Sequence, residues 1–183
     1  MAPRVPVYLL AGELRPGALV RAPERMEATA FAALDDAPVR PGGGSPLGPG
    51  LLARLAAVER ELGGVERPQD HQMWRATGRL GLLFHHPGRP DGPALGYGYV
   101  QPVGRIGPVL VREPWMLTPV LAELTDAVTP PGAWQAIVPG VAADALIPLL
   151  EGGMRIEGGP AFYAADWEGP PFTRYLPMNF ALV

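Results

Sequence analysis

The residue types that carry most enzyme chemistry are sparse in this chain. All 15 of its basic residues are arginine, it contains no cysteine, and its one serine, Ser45, lies in a Gly/Pro tract. These gaps exclude thiolate nucleophiles, cysteine-ligated metal sites, disulfides, Schiff bases and the lysine-dependent phosphate loop. No G-x-S-x-G motif surrounds Ser45, so a serine hydrolase is not expected either. Tyrosine, histidine and the carboxylates remain as candidate acids and bases.

The leading candidates for acid or base chemistry are Tyr97 and Tyr99, which alternate with Gly96 and Gly98. Alternate residues of a strand share a face, so the two phenols lie together and the glycines leave the other face almost bare. That face either admits a ligand or makes room for a bulky neighbour such as a tryptophan. The phenols are either functional groups of a cleft or core side chains with satisfied hydroxyls.

Two further polar groupings have a functional and a structural interpretation. Asp70, His71 and Trp74 form either the mouth of a site or the ordinary first turns of a helix with the indole packed inward. His85 and His86 are adjacent on a strand and point to opposite faces, so we expect no metal site there.

The C-terminal part of the chain is rich in aromatic residues. They either close over a cleft, form a protein interface or pack on the domain's own core. These residues are Tyr163, Trp167, Phe172 and Tyr175.

Glycine and proline patterns divide the chain. Nine of the thirteen residues from Pro38 to Gly50 are Gly or Pro, a density that neither a helix nor a central strand tolerates. We therefore predict an N-terminal extension over 1–37, a linker or loop over 38–50 and one domain over 51–183. Helices are predicted at 51–62, at Gln69–Ala76, from Pro114 onward, and at Val141–Leu150 despite Pro148.

Apolar runs between turn signals predict the strands. The first, Val5–Ala11, contains Pro6 and is predicted at a sheet edge, and Arg25–Asp35 is ambiguous between strand and helix. The order of elements indicates an α+β fold with a mixed central β-sheet flanked by α-helices. The other predicted strands are Ala18–Ala22, Leu80–His85, Ala94–Gln101, Gly104–Val111, Ala133–Val138, Met154–Ala165 and Phe180–Val183.

Charge and hydropathy bear on location and partners. The net charge is −3, the arginines are scattered, and no apolar run approaches the eighteen or so residues of a membrane span. We expect a soluble, cytoplasmic protein that binds neither nucleic acid nor membrane.

Residues 50–183 resemble the GNAT acyltransferase superfamily. The resemblance is carried by the strand at 96–99, GRIGPVLV at 104–111, AWQAIVP at 133–139 and Gly152-Gly153-Met154, with helices between them. It is nearest to the non-standard GNAT-like modules at the C-terminal end of tandem GNAT proteins, which have counterparts of DHQMW (70–74) and of the tail at 159–177.

The resemblance implies acetyl-CoA as cofactor. In the superfamily, backbone amides of a Q/R-x-x-G-x-G/A loop that opens a helix hold the pyrophosphate, and the pantetheine lies along a splayed central strand, here expected at Leu95–Gln101. Gln101, Gly104 and Arg105 match that loop, and Arg112 adds positive charge. Ile106 replaces the small residue of the motif, and Glu113 brings negative charge to the helix start.

A second superfamily signature aligns on Gly153-Met154 and places Leu149 where the usual general acid is a tyrosine. The resemblance thus supports the fold more than the activity. One hypothesis is an acyl-CoA-dependent N-acetyltransferase of a small-molecule or protein amine, with Tyr97 or Tyr99 as acid or base. The alternative is a degenerate, non-catalytic GNAT-like module, which binds a second copy of the chain, a partner GNAT domain or a small ligand.

Overall fold

A mixed β-sheet runs through the molecule. The computed structural model describes residues 4–35, 46–164 and 171–179, and within them the sheet has nine strands. Along the main path they lie in the order β2-β3-β4-β5-β6-β1-β7, while β8 pairs with β1 and β9 with β5. Among the described strands, only β5 and β6 pair in parallel. The strands are β1 (Arg4–Gly12), β2 (Glu27–Ala30), β3 (Leu80–His85), β4 (Gly96–Val100), β5 (Arg105–Val111), β6 (Trp134–Pro139), β7 (Arg155–Ile156), β8 (Ala161–Ala164) and β9 (Tyr175–Leu176).

Helices cover both faces of the sheet, so the predicted α+β fold with a flanked mixed sheet is confirmed. Prolines in the first turn open α2 and α3, where a missing N–H costs no helical hydrogen bond. Within the described part of the chain the helices are α1 (Phe31–Leu34), α2 (Pro49–Leu62), α3 (Pro68–Ala76), α4 (Leu117–Asp126), which follows a 3-10 turn at Pro114–Met116, and α5 (Ala143–Glu151).

Side-chain alternation along the strands divides the interior into two cores. On β3, Leu82 and Phe84 join the core under α4 and α5, whereas Leu83 joins the one under α1, α2 and α3. Tyr97 and Tyr99 belong to the second core, together with Trp74 of α3. The two candidate phenols therefore lie on the face that α2 and α3 cover.

Strand β1 is not the edge strand that the sequence predicted. It pairs antiparallel with β6 along one side and with β7 and β8 along the other. Pro6 lies just before the ladder with β6, which begins at Val7, so its missing N–H interrupts no pair on that side. Both β1 and β2 are strands of this one sheet, although the sequence analysis placed them in an N-terminal extension.

Several other local predictions are resolved. Ala18–Ala22 is a loop rather than a strand, and the ambiguous Arg25–Asp35 contains both β2 and α1. The strand predicted over Met154–Ala165 is two short strands, separated by a turn in which Gly158 has a φ of +75°. Pro148 lies inside α5. It cannot donate to the carbonyl of Asp144, and the Thr118 hydroxyl donates to that oxygen instead (2.5 Å).

Some predictions fall outside the described residues. They are most of the linker at 38–50 with Ser45, Trp167, and the final strand Phe180–Val183. Among the described residues, none of the helices is both long and apolar enough to cross a bilayer.

Candidate functional site

The parallel strands β5 and β6 separate soon after they begin. They pair only at Arg105 with Gln135 and at Ile106 with Ala136. Further along, β5 pairs antiparallel with β9 instead, through Val109 with Leu176 and Leu110 with Tyr175. β9 also lies against β6. A segment from the C-terminal part of the chain thus fills the gap between the diverging strands.

The diverging strand is β5, not the Leu95–Gln101 strand expected from the resemblance. That strand, β4, is hydrogen-bonded along both edges, to β3 and to β5. A strand paired on both sides offers a ligand few free backbone groups, and here the ladder with β5 is interrupted only between Gly98 and Val100. The expectation failed because which strand separates is set by long-range pairing, which the alternation of Gly and Tyr does not reveal.

We call residues 171–179 the C-terminal strap. The N–H of Val111 donates to the carbonyl of Arg174 (3.1 Å), which extends the ladder between β5 and β9. The Arg174 guanidinium donates to the carbonyls of Arg112 (2.9 Å) and Leu62 (3.2 Å), so it ties the strap to the end of β5 and to α2. Tyr175 and Leu176 are each only 1% exposed. The strap is therefore an integral layer in this structure.

The glycine at position 107 allows the strap to approach β5. Gly107 has a φ of +113°, and a Cβ atom there would lie 2.9 Å from the carbonyl oxygen of Pro177. Both its backbone angle and the close approach require glycine.

Tyr97 and Tyr99 are fully buried and hydrogen-bonded to side chains of α2, α3 and the loop between them. The Tyr97 hydroxyl donates to Glu59 Oε1 (2.9 Å) and accepts from Arg67 Nη2 (3.0 Å). The Tyr99 hydroxyl lies 2.6 Å from His71 Nδ1. Burial raises the pKa of both phenols well above the usual value, so both are neutral at pH 7. Their catalytic role stays a prediction.

Glu59 is the centre of a buried polar cluster formed by Glu59, Arg67, His71, Tyr97, Tyr99 and Tyr175. Its carboxylate accepts from the backbone N–H of Arg67 (2.6 Å) and from Arg67 Nε (3.0 Å). His71 Nε2 lies 3.2 Å from Glu59 Oε1 but makes no well-angled hydrogen bond. Arg67 Nη1 donates to the Tyr175 hydroxyl (2.9 Å), which links the cluster to the strap.

Electrostatics keeps the centre of this cluster charged. Burial would raise the pKa of the Glu59 carboxyl, but the close approach of His71 and the Arg67 guanidinium outweigh it and lower the pKa. Burial likewise opposes the charge of Arg67, yet Tyr97, Tyr175 and Glu59 around it raise its pKa. Glu59 and Arg67 therefore form an ion pair beneath the strap, in which the carboxylate is fully buried and the Arg67 side chain is 21% exposed.

The sequence contained a signal for Glu59 that our prediction missed. Leu55, Glu59 and Leu62 share one face of α2, and all three are buried. A carboxylate in an apolar stripe needs a buried partner. In the predicted Asp70, His71 and Trp74 grouping, His71 and Trp74 are buried and Asp70 is half-buried.

The structure brings together three of the four residues predicted to hold the cofactor. Gln101, Gly104 and Arg105 form the tight turn between β4 and β5, where the Gly104 N–H donates to the Gln101 carbonyl (2.9 Å) and Gly104 has a φ of +89°. Arg112 lies beyond the other end of β5, roughly 20 Å away at ~3.3 Å per strand residue. Its guanidinium pairs with the Glu61 carboxylate at 2.5 and 2.9 Å.

The helix that follows β5 offers few free amides for a pyrophosphate. Pro114 has no N–H, and those of Met116 and Leu117 donate to the carbonyls of Glu113 and Pro114. Glu113 also places a negative charge at this helix start. With the strap in the gap as well, the residues do not fit acetyl-CoA in this conformation.

A cavity of about 290 Å³ lies where β5 and β6 are paired. It is open to solvent and combines an apolar floor with polar groups of Arg105, Gln135 and Asn179. Its other lining residues are Leu9, Ile106, Ala136, Ile137 and Met178. No cluster of three or more potential metal ligands occurs in the part of the chain that the structure describes.

Comparisons with known proteins show the fold alone. No protein-family model matches the sequence, and no curated protein matches it. A crystal structure of a protein from Pyrococcus horikoshii, described as a "putative acetyltransferase", matches with a TM-score of 0.56 and 14% sequence identity. The match covers 100% of this chain and 53% of the other, so the chain spans about half the length of that protein. The chain is similar in fold to that protein.

Proposed function

We propose that this chain is a GNAT-fold, acyl-CoA-dependent N-acetyltransferase acting on an unidentified amine. The observation that carries the proposal is the parallel pair β5 and β6, which separates after two residue pairs and is connected through α4. A gap between diverging parallel strands is where the superfamily resemblance puts the acyl donor. The likeness in fold to a protein named as an acetyltransferase supports the same activity.

The residues of the chain suit direct transfer better than a covalent intermediate. Cysteine and lysine are missing from the chain, and positioning a deprotonated amine against a thioester supplies most of the rate in a direct reaction. Burial raises the pKa of the Tyr97 and Tyr99 phenols, so both hold their protons at neutral pH. They therefore suit the role of proton donor better than that of base.

A second function is favoured by one specific observation. The strap already occupies the gap between β5 and β6, and Leu149, at the position of the usual tyrosine acid, is buried in the core. A non-catalytic GNAT-like module would need neither an open gap nor an acid. Its partner would be a second copy of the chain or a partner GNAT domain.

Acetyl-CoA binding separates the two functions. We expect calorimetry to show saturable binding of acetyl-CoA to the full chain or to a chain lacking residues 171–183, and thiol release that depends on an added amine. The absence of cysteine means that a thiol reagent has no protein background. Millimolar acetyl-CoA that binds neither form would eliminate the enzyme and leave the module.

Two arginine variants test where the acyl donor lies. Arg112→Ala should weaken acetyl-CoA binding if its phosphates lie at the far end of β5, because the guanidinium is exposed enough to exchange Glu61 for a phosphate. Arg89→Ala, in the loop between β3 and β4, is the matched control and should bind like the parent. Equal affinity in both variants would contradict this placement.

A further inference from the structure

The strap covers chemistry-bearing side chains that have no role in a simple core. Beneath it lie the Glu59–Arg67 ion pair and the phenols of Tyr97 and Tyr99, and Tyr175 of the strap is bound to Arg67 (2.9 Å). Burying a charged pair rarely stabilises a fold more than apolar packing does. Stability alone therefore does not account for a polar cluster in this position.

Two buried donors on the same side of the sheet have no hydrogen-bond acceptor. They are Trp74 Nε1 of α3 and Arg79 Nε, which lies between α3 and β3. A buried donor without an acceptor costs about 1–3 kcal/mol. Arg79 donates through Nη1 to the Gly107 carbonyl (2.7 Å) on β5, so its guanidinium reaches the strand that carries the strap. These donors would suit a ligand that is rich in acceptors.

The strap uses backbone groups that a ligand on this edge of β5 would need. The N–H of Val111 donates to Arg174, and Val109 and Leu110 face Leu176 and Tyr175. The pantetheine arm is an extended chain with two amides, so it can pair with a strand edge much as another strand does. The strap and such an arm cannot use the same groups at once.

We propose that the C-terminal strap is a displaceable cover over the acyl-donor site, and that the strap and the pantetheine arm of acyl-CoA compete for one edge of β5. This inference rests on the proposed function and adds to it a closed and an open form. Opening frees the Arg67 guanidinium from the Tyr175 hydroxyl. The closed form is the one described here.

The backbone ladder of the strap is short, although Tyr175 and Leu176 are buried. β9 has two residues, against nine in β1, and it pairs with a single strand. Besides this ladder, the Arg174 guanidinium and the bond between Tyr175 and Arg67 anchor the strap, and Asn179 has a partner as well. Elements with few hydrogen bonds open locally before the whole protein unfolds.

A reversible crosslink tests the competition directly. Val109 and Leu176 are directly opposite in an antiparallel pair, and Cα atoms of such pairs are about 4.5–5.5 Å apart, within the range of disulfides. In a V109C/L176C variant, which would hold the only cysteines, we expect at least tenfold weaker acetyl-CoA binding when oxidised than when reduced. Dithiothreitol should restore binding. A11C/R155C, which joins β1 to β7, is the control and should bind equally in both states.

A second variant tests the same proposal without a crosslink, so its result does not depend on the folding of the crosslinked chain. Arg174→Ala removes two anchors of the strap without opening the core, and it should bind acetyl-CoA several-fold more tightly than the parent. Without any ligand, hydrogen exchange at the amide of Val111 should be faster in this variant, whereas amides of the β3–β4 ladder should be unchanged. Arg89→Ala should change neither measurement.

The outcomes distinguish the strap from the proposed function. The proposed role of the strap is overturned if oxidised and reduced V109C/L176C bind acetyl-CoA equally well. It is also overturned if Arg174→Ala and the parent bind equally well. Either result leaves the proposed acetyltransferase function intact. A different result would overturn the proposed function. It is that Arg174→Ala shows faster hydrogen exchange at Val111, but neither this variant nor reduced V109C/L176C binds acetyl-CoA. The role of the strap, which rests on that function, would then be overturned as well.

Discussion

At the scale of single residues, Glu59 is the side chain on which the polar cluster depends. We expect Glu59→Gln to reduce the free energy of unfolding by about 1–3 kcal/mol, because it leaves the half-buried Arg67 guanidinium without its counter-ion. Urea unfolding at pH 7 measures this loss. Glu61→Gln is the matched control, two residues away, where the carboxylate is exposed and pairs with Arg112. It should leave the free energy of unfolding nearly unchanged.

The pH dependence of this difference identifies its cause. The folded-state pKa of Glu59 is below its ordinary value of 4.5, so the carboxylate stabilises the fold fully above that pH. This contribution is lost as the pH falls through the lower, folded-state pKa. The difference in unfolding free energy between the parent and Glu59→Gln should therefore become smaller as the pH falls below about 4.5. If this difference stayed constant down to acid unfolding, packing rather than charge would explain the loss of stability.

At the scale of elements, the two glycines of β4 differ in what they make room for. A Cβ atom on Gly96 would lie 2.4 Å from the carbonyl oxygen of Leu110, which is backbone, whereas one on Gly98 would lie 2.8 Å from Leu124 Cδ1. The neighbour that Gly98 admits is thus a leucine of α4. Because a side chain can rotate and a strand backbone cannot, Gly96→Ala should cost about 3 kcal/mol and Gly98→Ala about 1 kcal/mol.

Thermal unfolding of the alanine variants measures this difference. Gly132→Ala is the control, since nothing lies within 4 Å of a Cβ atom there, and it should change the free energy of unfolding by less than about 0.5 kcal/mol. Equal losses at positions 96 and 98 would show that backbone proximity to β5 is not the constraint.

What could be predicted from the sequence was local. Leu80–His85 is β3 as predicted, and α2 ends at Leu62 as predicted, because propensity and periodicity act over a few residues. The partners of β1 and β9 are more than 60 residues away, and no local pattern specifies them. The polar cluster was missed for a related reason: Glu59 and Tyr175 are brought together only by the fold.

At the scale of the whole molecule, the sheet joins the two ends of the chain. β1, from the N-terminal part, lies between β6 and the late strands β7 and β8, and the strap fills the gap beside β6. The folding unit therefore includes segments on both sides of the Gly/Pro-rich stretch at 38–50. A Gly/Pro tract is a reliable sign of a break in secondary structure, but it does not show whether the flanking segments share one core.

This arrangement predicts that residues 51–183 do not fold without β1. Removing residues 1–12 deletes the ladder with β6 and the fully buried Leu10, so the shortened chain should lack the near-ultraviolet circular dichroism of a packed core. Adding a synthetic peptide of residues 1–12 should restore that signal, because the missing strand can pair with β6 in trans.

A point variant tests the same dependence in the intact chain. Leu10→Ala should cost about 2–5 kcal/mol of unfolding free energy, since it leaves a cavity in the core, whereas Val20→Ala, at a position 70% exposed, should cost little. If a chain beginning at residue 13 unfolds cooperatively with the stability of the parent, β1 contributes nothing essential. The N-terminal segment would then be an extension after all, and the domain would begin after the linker.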